Sequence, residues 1–233
     1  VNDIQSEFAP FADQFEKGRF PLGISKDTAK AVALPLRQFS LLSLYFGSTN
    51  ASAPVMQNML YNAARERMEV WIVKRRSGSL FDSGKVRTDG VMEVDFCTAE
   101  PESLSQLVTA LSNVKMNQEK AFQDYCAEKA IGSEDSEAGM RAHPEMLERI
   151  KPLFVLIESA EDFFGAMDTL LQLRVQAVFL KCKKLHLYIA ACFEPDFPRK
   201  LTESSLYNCF RSDNILLFGG NSGRQSLVNI SSS

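Results

Sequence analysis

The run Leu153-Phe154-Val155-Leu156-Ile157 constrains the fold of this chain more than any other segment. It lies between Pro152 and Glu158 and carries no polar residue, so neither side of a strand built from it can face water. An unalternating run of this kind suits a parallel strand covered on both faces, and parallel strands need long crossover connections, usually helices. The rest of the chain supplies them. Leu41 to Phe46 is a strand-length run ending at Gly47, and Pro54 to Met68 follows with Met56, Met59, Leu60 and Ala63/Ala64 on one helical face. Glu69 to Val73 reads as a second strand, stopped by Lys74-Arg75-Arg76 and the Ser77-Gly78-Ser79 turn. Val91 to Phe96 is a third. From Ser103, a candidate cap, the spacing of Leu104, Leu107, Val108, Leu111 and Val114 predicts a helix to about Ala130.

Residues 133–138 are small and acidic, a solvated loop. Glu161 to Lys181 reads as one helix with Phe163, Phe164, Met167, Leu170, Leu171 and Val178 inward, and Leu185 to Ala191 and Ile215 to Phe218 close the series as strands. Strands alternating with helices imply an α/β fold with a mostly parallel sheet, whose ligands sit at the carboxyl ends of the strands. A chain of 233 residues is long enough for one large domain or one domain with an appendage. Phe8, Phe11 and Phe15 at helical spacing suggest that residues 1–19 are a packed helix or a linker, ahead of a single domain over 20–233. The start, Val1-Asn2-Asp3-Ile4, lacks an initiator Met and a signal-peptide pattern and reads as a piece of something longer.

Composition narrows the chemistry. A net charge of −3 and pI near 5.6 argue against a protein that coats nucleic acid or an anionic membrane. No apolar run reaches the roughly 18 residues of a transmembrane helix. Five cysteines at wide spacings without CxxC, and two distant histidines, give neither a zinc site nor a disulfide framework; the expectation is reduced, mostly buried thiols and no metal.

The segment Gly47, Ser48, Thr49, Asn50, Ala51, Ser52, Ala53, Pro54 has the length and position of a phosphate-binding loop, G-x-x-x-x-G-K-[ST]. Gly47 matches the first glycine, but Ser52 stands at the second, Ala53 at the lysine and Pro54 at the hydroxyl. The lysine neutralises phosphate charge and the hydroxyl holds magnesium, so the substitutions remove the groups that do the chemistry. In P-loop ATPases an apolar strand also ends in an acid that organises magnesium, often followed by a second carboxylate. Here that strand ends in Glu158, with Ser159 at the base position. No catalytic residue is therefore expected. A hydrolase reading fails for want of a G-x-S-x-G elbow.

These segments together resemble an FtsK/SpoIIIE-type ATPase domain, and in particular a degenerate carboxyl-terminal domain of an EssC-type ATPase of type VII secretion. Phe20-Pro21-Leu22-Gly23-Ile24 and Val32 to Leu36 resemble the family's lead-in to the loop. Glu69 to Val73 running into Ser77-Gly78-Ser79-Leu80 resembles its strand ending in D-x-K-G-G-x-L, with Lys74 in place of the Asp. Pro152 to Glu158 resembles the acidic strand, Leu185 to Ala191 the later sensor strand, and Ile215 to Gly220 with Gln225-Ser226-Leu227 the closing segment. The resemblance implies a RecA-like fold and, in the family, ATP and magnesium, both weakened here. It also implies adjacent ATPase domains of the same chain as partners, cargo of small helical proteins or their signal peptides, and attachment to the cytoplasmic side of a bacterial membrane through a longer chain. Nucleic acid and direct membrane contact are not expected. Arg65, Arg67, Lys74, Arg75 and Arg76 are candidate replacements for the missing lysine, or simply solvated charges; Arg199, Arg211 and Arg224 could act across an oligomer. If the emptied cleft receives cargo, Tyr45, Phe46, Phe163 and Phe164 are candidate docking positions.

Overall fold

The computed structural model describes residues 18–24, 31–36, 39–46, 49–88, 93–132, 139–194, 197–213 and 216–219. The amino-terminal phenylalanines, the acidic loop and Gln225 to Leu227 lie outside them. Two strands, β1 (Arg19–Ile24) and β2 (Ala31–Pro35), form an antiparallel hairpin. The remaining strands are β3 (Leu41–Phe46), β4 (Glu69–Lys74), β5 (Glu93–Cys97), β6 (Leu153–Ile157), β7 (Leu187–Phe193) and β8 (Leu216–Gly219). They form one sheet in the order β5-β4-β6-β7-β3-β8, parallel at every pairing. β6 is near its middle, as its all-apolar sequence demands. β7 separates it from β3, the strand that leads into the loop-like segment.

Alternate residues of each strand feed two cores. Leu153, Val155 and Ile157 of β6 join Leu187, Ile189, Ala191 and Phe193 of β7 on one face. Phe154 and Leu156 join Tyr188, Ala190 and Cys192 on the other. The second face is covered by α1 (Thr49–Arg65), through Met56, Met59, Leu60 and Ala63, and by the hairpin residue Phe20, 5.7 Å from Phe154 and 5.8 Å from Phe39 between ring centroids. The first face is covered by α2 (Pro101–Lys129), α3 (Ala160–Gly165), α4 (Thr169–Phe179) and α5 (Ser205–Asp213). At its centre Phe193 meets Phe197 at 5.2 Å, Phe210 at 5.7 Å, Tyr207 at 5.9 Å and Phe164 at 6.0 Å.

The fold departs from the sequence expectations at several local points. The long helix over 161–181 is two helices: Asp168 caps α4 by accepting from the Leu171 N–H at 2.8 Å, and the chain turns at Gly165 to Met167. This rotates Leu170 to the surface, where it is 65% exposed; Leu173 and Leu180 lie exposed on the same side, one to three turns along. Ser103 does not cap α2. Glu100 holds that position, and the Ser103 hydroxyl instead accepts from the Cys97 N–H at 2.9 Å, tying the helix to the end of β5. Helix α5 has no counterpart in the sequence patterns. All five cysteines are free thiols; Cys182, Cys192 and Cys209 are buried, and burial pushes the Cys192 thiol far up, so it stays protonated.

His186, at the amino end of β7, is buried beside Tyr188 and Arg141, and its pKa is lowered to about 4, first by burial and then by the Arg141 charge. The unfolded chain takes up that proton near pH 6.5 and the folded chain only near pH 4, so this histidine withdraws stability as pH falls through that window. Urea unfolding between pH 7 and pH 4 should lose about 3 kcal/mol that His186→Gln does not lose. Phe193→Ala, which hollows the aromatic cluster, should cost about 4 kcal/mol in the same assay at pH 7.

Candidate functional site

The carboxyl ends of β3, β4, β6 and β7 lie along one edge of the sheet, where open parallel sheets bind ligands. α1 begins at Thr49, so six of the eight residues of the loop-like segment are helical; Gly47 and Ser48, which join strand to helix, lie outside the described residues. The segment is therefore not an eight-residue loop. Ser52 is buried with its hydroxyl 4.0 Å from the Met56 sulfur, Ala53 packs against the α1 core, and Pro54 sits inside the helix. Pro54 has no N–H to give the Asn50 carbonyl, the bond an interior helical residue would make.

Glu158 follows β6 and is 2% exposed. Its Oε2 accepts from the Arg75 N–H at 3.1 Å and the Ser79 hydroxyl at 2.8 Å, and its Oε1 accepts from the Leu80 N–H at 2.6 Å. The carboxylate thus acts as the anchor of the loop after β4. Ser159 caps α3, its hydroxyl accepting from the Asp162 N–H at 3.2 Å. Asp162 in turn accepts from the Arg76 N–H at 2.8 Å.

The neighbouring cations are also committed. Arg75 reaches past the end of β6 to Glu194, just beyond β7, at 2.7 Å. Lys74 contacts Asp95 at 2.6 Å and Asp82 at 3.0 Å. Partial burial works against its charge, but the hydrogen bonds to Asp95 and Asp82 outweigh that and hold the ammonium above the usual lysine range. Arg65 and Arg67 are at the far end of α1, about 24 Å along the helix axis from Thr49, so they cannot replace a lysine at position 53. Sequence reasoning missed Glu194, Ser79 and Asp162. Their roles depend on which strand ends adjoin, and β7 falls beside β6 only in the folded sheet.

The proposed docking aromatics are core residues. Tyr45 and Phe46 are each 6% exposed, and Phe163 and Phe164 are 1% and 0% exposed. Tyr45 stacks on Phe193 at 5.1 Å and Phe164 contacts the same cluster, so an arriving peptide could reach neither without unpacking it.

The sheet is parallel throughout, with the acid-ended strand β6 one strand removed from β3. No family model matches the chain, and no curated protein matches it. Solved structures do. EssC (ATPases 2 and 3) from Geobacillus thermodenitrificans is 15% identical with a TM-score of 0.71, over 98% of this chain and 39% of that one. The cytoplasmic domain of EssC is 15% identical with a TM-score of 0.75, over 98% of this chain and 41% of that one. EccC (ATPases 2 and 3) from Thermomonospora curvata, in complex with a signal sequence peptide, is 12% identical with a TM-score of 0.60, over 89% of this chain and 35% of that one. The chain spans about two fifths of the length of the EssC structures, and what it shares with them is the fold.

Replacing Glu158 tests its anchoring role. Glu158→Ala should destabilise the domain by about 3 kcal/mol in urea unfolding, because two N–H groups and a hydroxyl lose a charged acceptor. Glu158→Gln keeps one acceptor oxygen and should cost less than half as much.

Proposed function

We propose that residues 20–233 are one ATPase-fold domain of a type VII protein secretion motor, and that the domain does not hydrolyse ATP. The observation that carries the reading is the occupation of the Glu158 carboxylate: the three hydrogen bonds it accepts come from the Arg75–Leu80 loop. Magnesium-ATP chemistry on this fold needs a lysine, a hydroxyl and a free strand-end carboxylate. Ala53, Pro54 and the engaged Glu158 do not fit that group, so these residues support no hydrolytic step. Ser159, consumed in a helix cap, leaves the base position without a proton acceptor of suitable strength.

The domain's role is then structural, regulatory or substrate-recognising, in contact with neighbouring ATPase domains of a longer chain and with small helical cargo or its signal peptide. An EccC structure that holds a signal sequence peptide shares this fold, which supports cargo recognition as the class of role. A longer chain would carry the membrane anchor on the cytoplasmic side; among the described residues no helix is long and apolar enough to cross a membrane.

Calorimetric titration with magnesium-ATP, followed by a steady-state phosphate-release assay, tests this. The expected result is no turnover above a buffer control and no nucleotide binding that magnesium strengthens. Turnover by the unmodified domain that Glu158→Gln abolishes, while the variant remains folded by circular dichroism, defeats the reading.

A further inference from the structure

A cavity of about 910 Å³ lies at the opposite pole, by the amino ends of the strands, among the β1–β2 hairpin, the turn after α1, residues 144–152 and the start of β7. Its size suits a small-molecule ligand. Among the described residues its charged lining holds five basic side chains and two carboxylates, and one of the five, Arg149, is held by Glu128 at 2.7 Å. One of the carboxylates, Glu66, is already engaged by Arg65 at 3.0 Å and by the Gly18 N–H at 3.2 Å. Arg67 and Lys151 are exposed and have no acidic partner among the described residues. Arg67 also has a φ of 56°, a left-handed conformation that glycine adopts at lower cost just past a helix end.

The deeper lining is built rather than incidental. Gly139, at a φ of +81°, lets the chain pass so near Lys184 that a Cβ would lie 2.8 Å from the lysine Cβ. That close passage delivers Arg141, whose guanidinium donates to the carbonyls of Phe39 at 2.6 Å and Leu187 at 3.0 Å and lies 4.4 Å over the Tyr188 ring. The charge is fixed in place. His186, 5% exposed, has its Nδ1 3.1 Å from the Tyr188 hydroxyl, and its buried Nε2 has no hydrogen-bond partner among the described residues.

We propose that this cavity binds a phosphate-bearing small molecule of about nucleotide size, with Arg67 and Lys151 at its rim and the fixed charge of Arg141 behind them. The cations come from three separate segments. Arg141, whose guanidinium also donates to the Leu185 carbonyl at 2.5 Å and the Leu36 carbonyl at 3.4 Å, supplies charge, while Arg67 and Lys151 supply free donors. Positive charge that converges from several walls suits a tetrahedral anion, whose oxygens point in several directions; a planar carboxylate is better met by one arginine fork edge-on. The site is independent of the eroded loop, since α1 separates the two by its full length, and it stands or falls apart from the secretion reading.

The test is calorimetric titration of the full 233-residue chain with sodium pyrophosphate, ADP and citrate in magnesium-free buffer. Pyrophosphate or ADP should bind with a Kd below about 100 μM, and at least about tenfold tighter than citrate. The Arg67→Ala/Lys151→Ala double variant, altered only at exposed side chains, should keep its circular dichroism spectrum and weaken that binding at least about tenfold. Three results overturn the proposal: no binding of either phosphate probe at millimolar concentration, citrate binding as tightly as they do, or phosphate affinity unchanged in the double variant, which would put the anion elsewhere.

Discussion

A strand with no polar face has to be covered twice, and β6 imposes that condition on the whole domain. Leu153, Val155 and Ile157 need a layer on one side, and Phe154 and Leu156 need one on the other. The chain meets this with unequal layers, four helices against one helix and a hairpin. The inequality explains why Phe20 is wholly buried: α1 alone leaves Phe154 uncovered, and the hairpin closes the gap with an edge-on aromatic contact at 5.7 Å.

The same strand ends in a carboxylate with nowhere to be solvated. A buried charge is tolerable only when its hydrogen bonds are made, and the β4 loop supplies three donors to Glu158. Arg75 contributes its N–H to Glu158 and its guanidinium to Glu194, so one residue binds the ends of β4, β6 and β7 together. An edge that in this fold normally opens toward a ligand is here laced across by side-chain and main-chain bonds.

The sheet was legible in sequence because its strands are apolar and separated by helical spacing, and because Leu153 to Ile157 admits only a doubly covered position. The resemblance carried the P-loop-like fold from the order of elements. What failed was local. The 161–181 pattern has an apolar residue at nearly every helical position, so periodicity could not reveal the break that the Asp168 cap creates. Pro54 signals a helical first turn in sequence, yet α1 reaches back to Thr49. Glu158 was legible at the end of its strand. Its partners were not, since Ser79 and Leu80 lie 79 and 78 residues away in the chain. The basic cavity was invisible for the same reason: Arg67, Arg141 and Lys151 are neighbours only once the sheet has formed.

Leu170, Leu173 and Leu180, exposed at 65%, 56% and 63%, give α4 a greasy outer side. Because a helix has no free backbone edge, contacts made through these leucines carry no ladder of hydrogen bonds and rest on water exclusion alone. Such adhesion loosens on cooling and tightens in sulfate. The domain will therefore be easiest to keep dispersed in the cold and at low concentrations of salting-out ions, the reverse of what a surface bound by ion pairs would require.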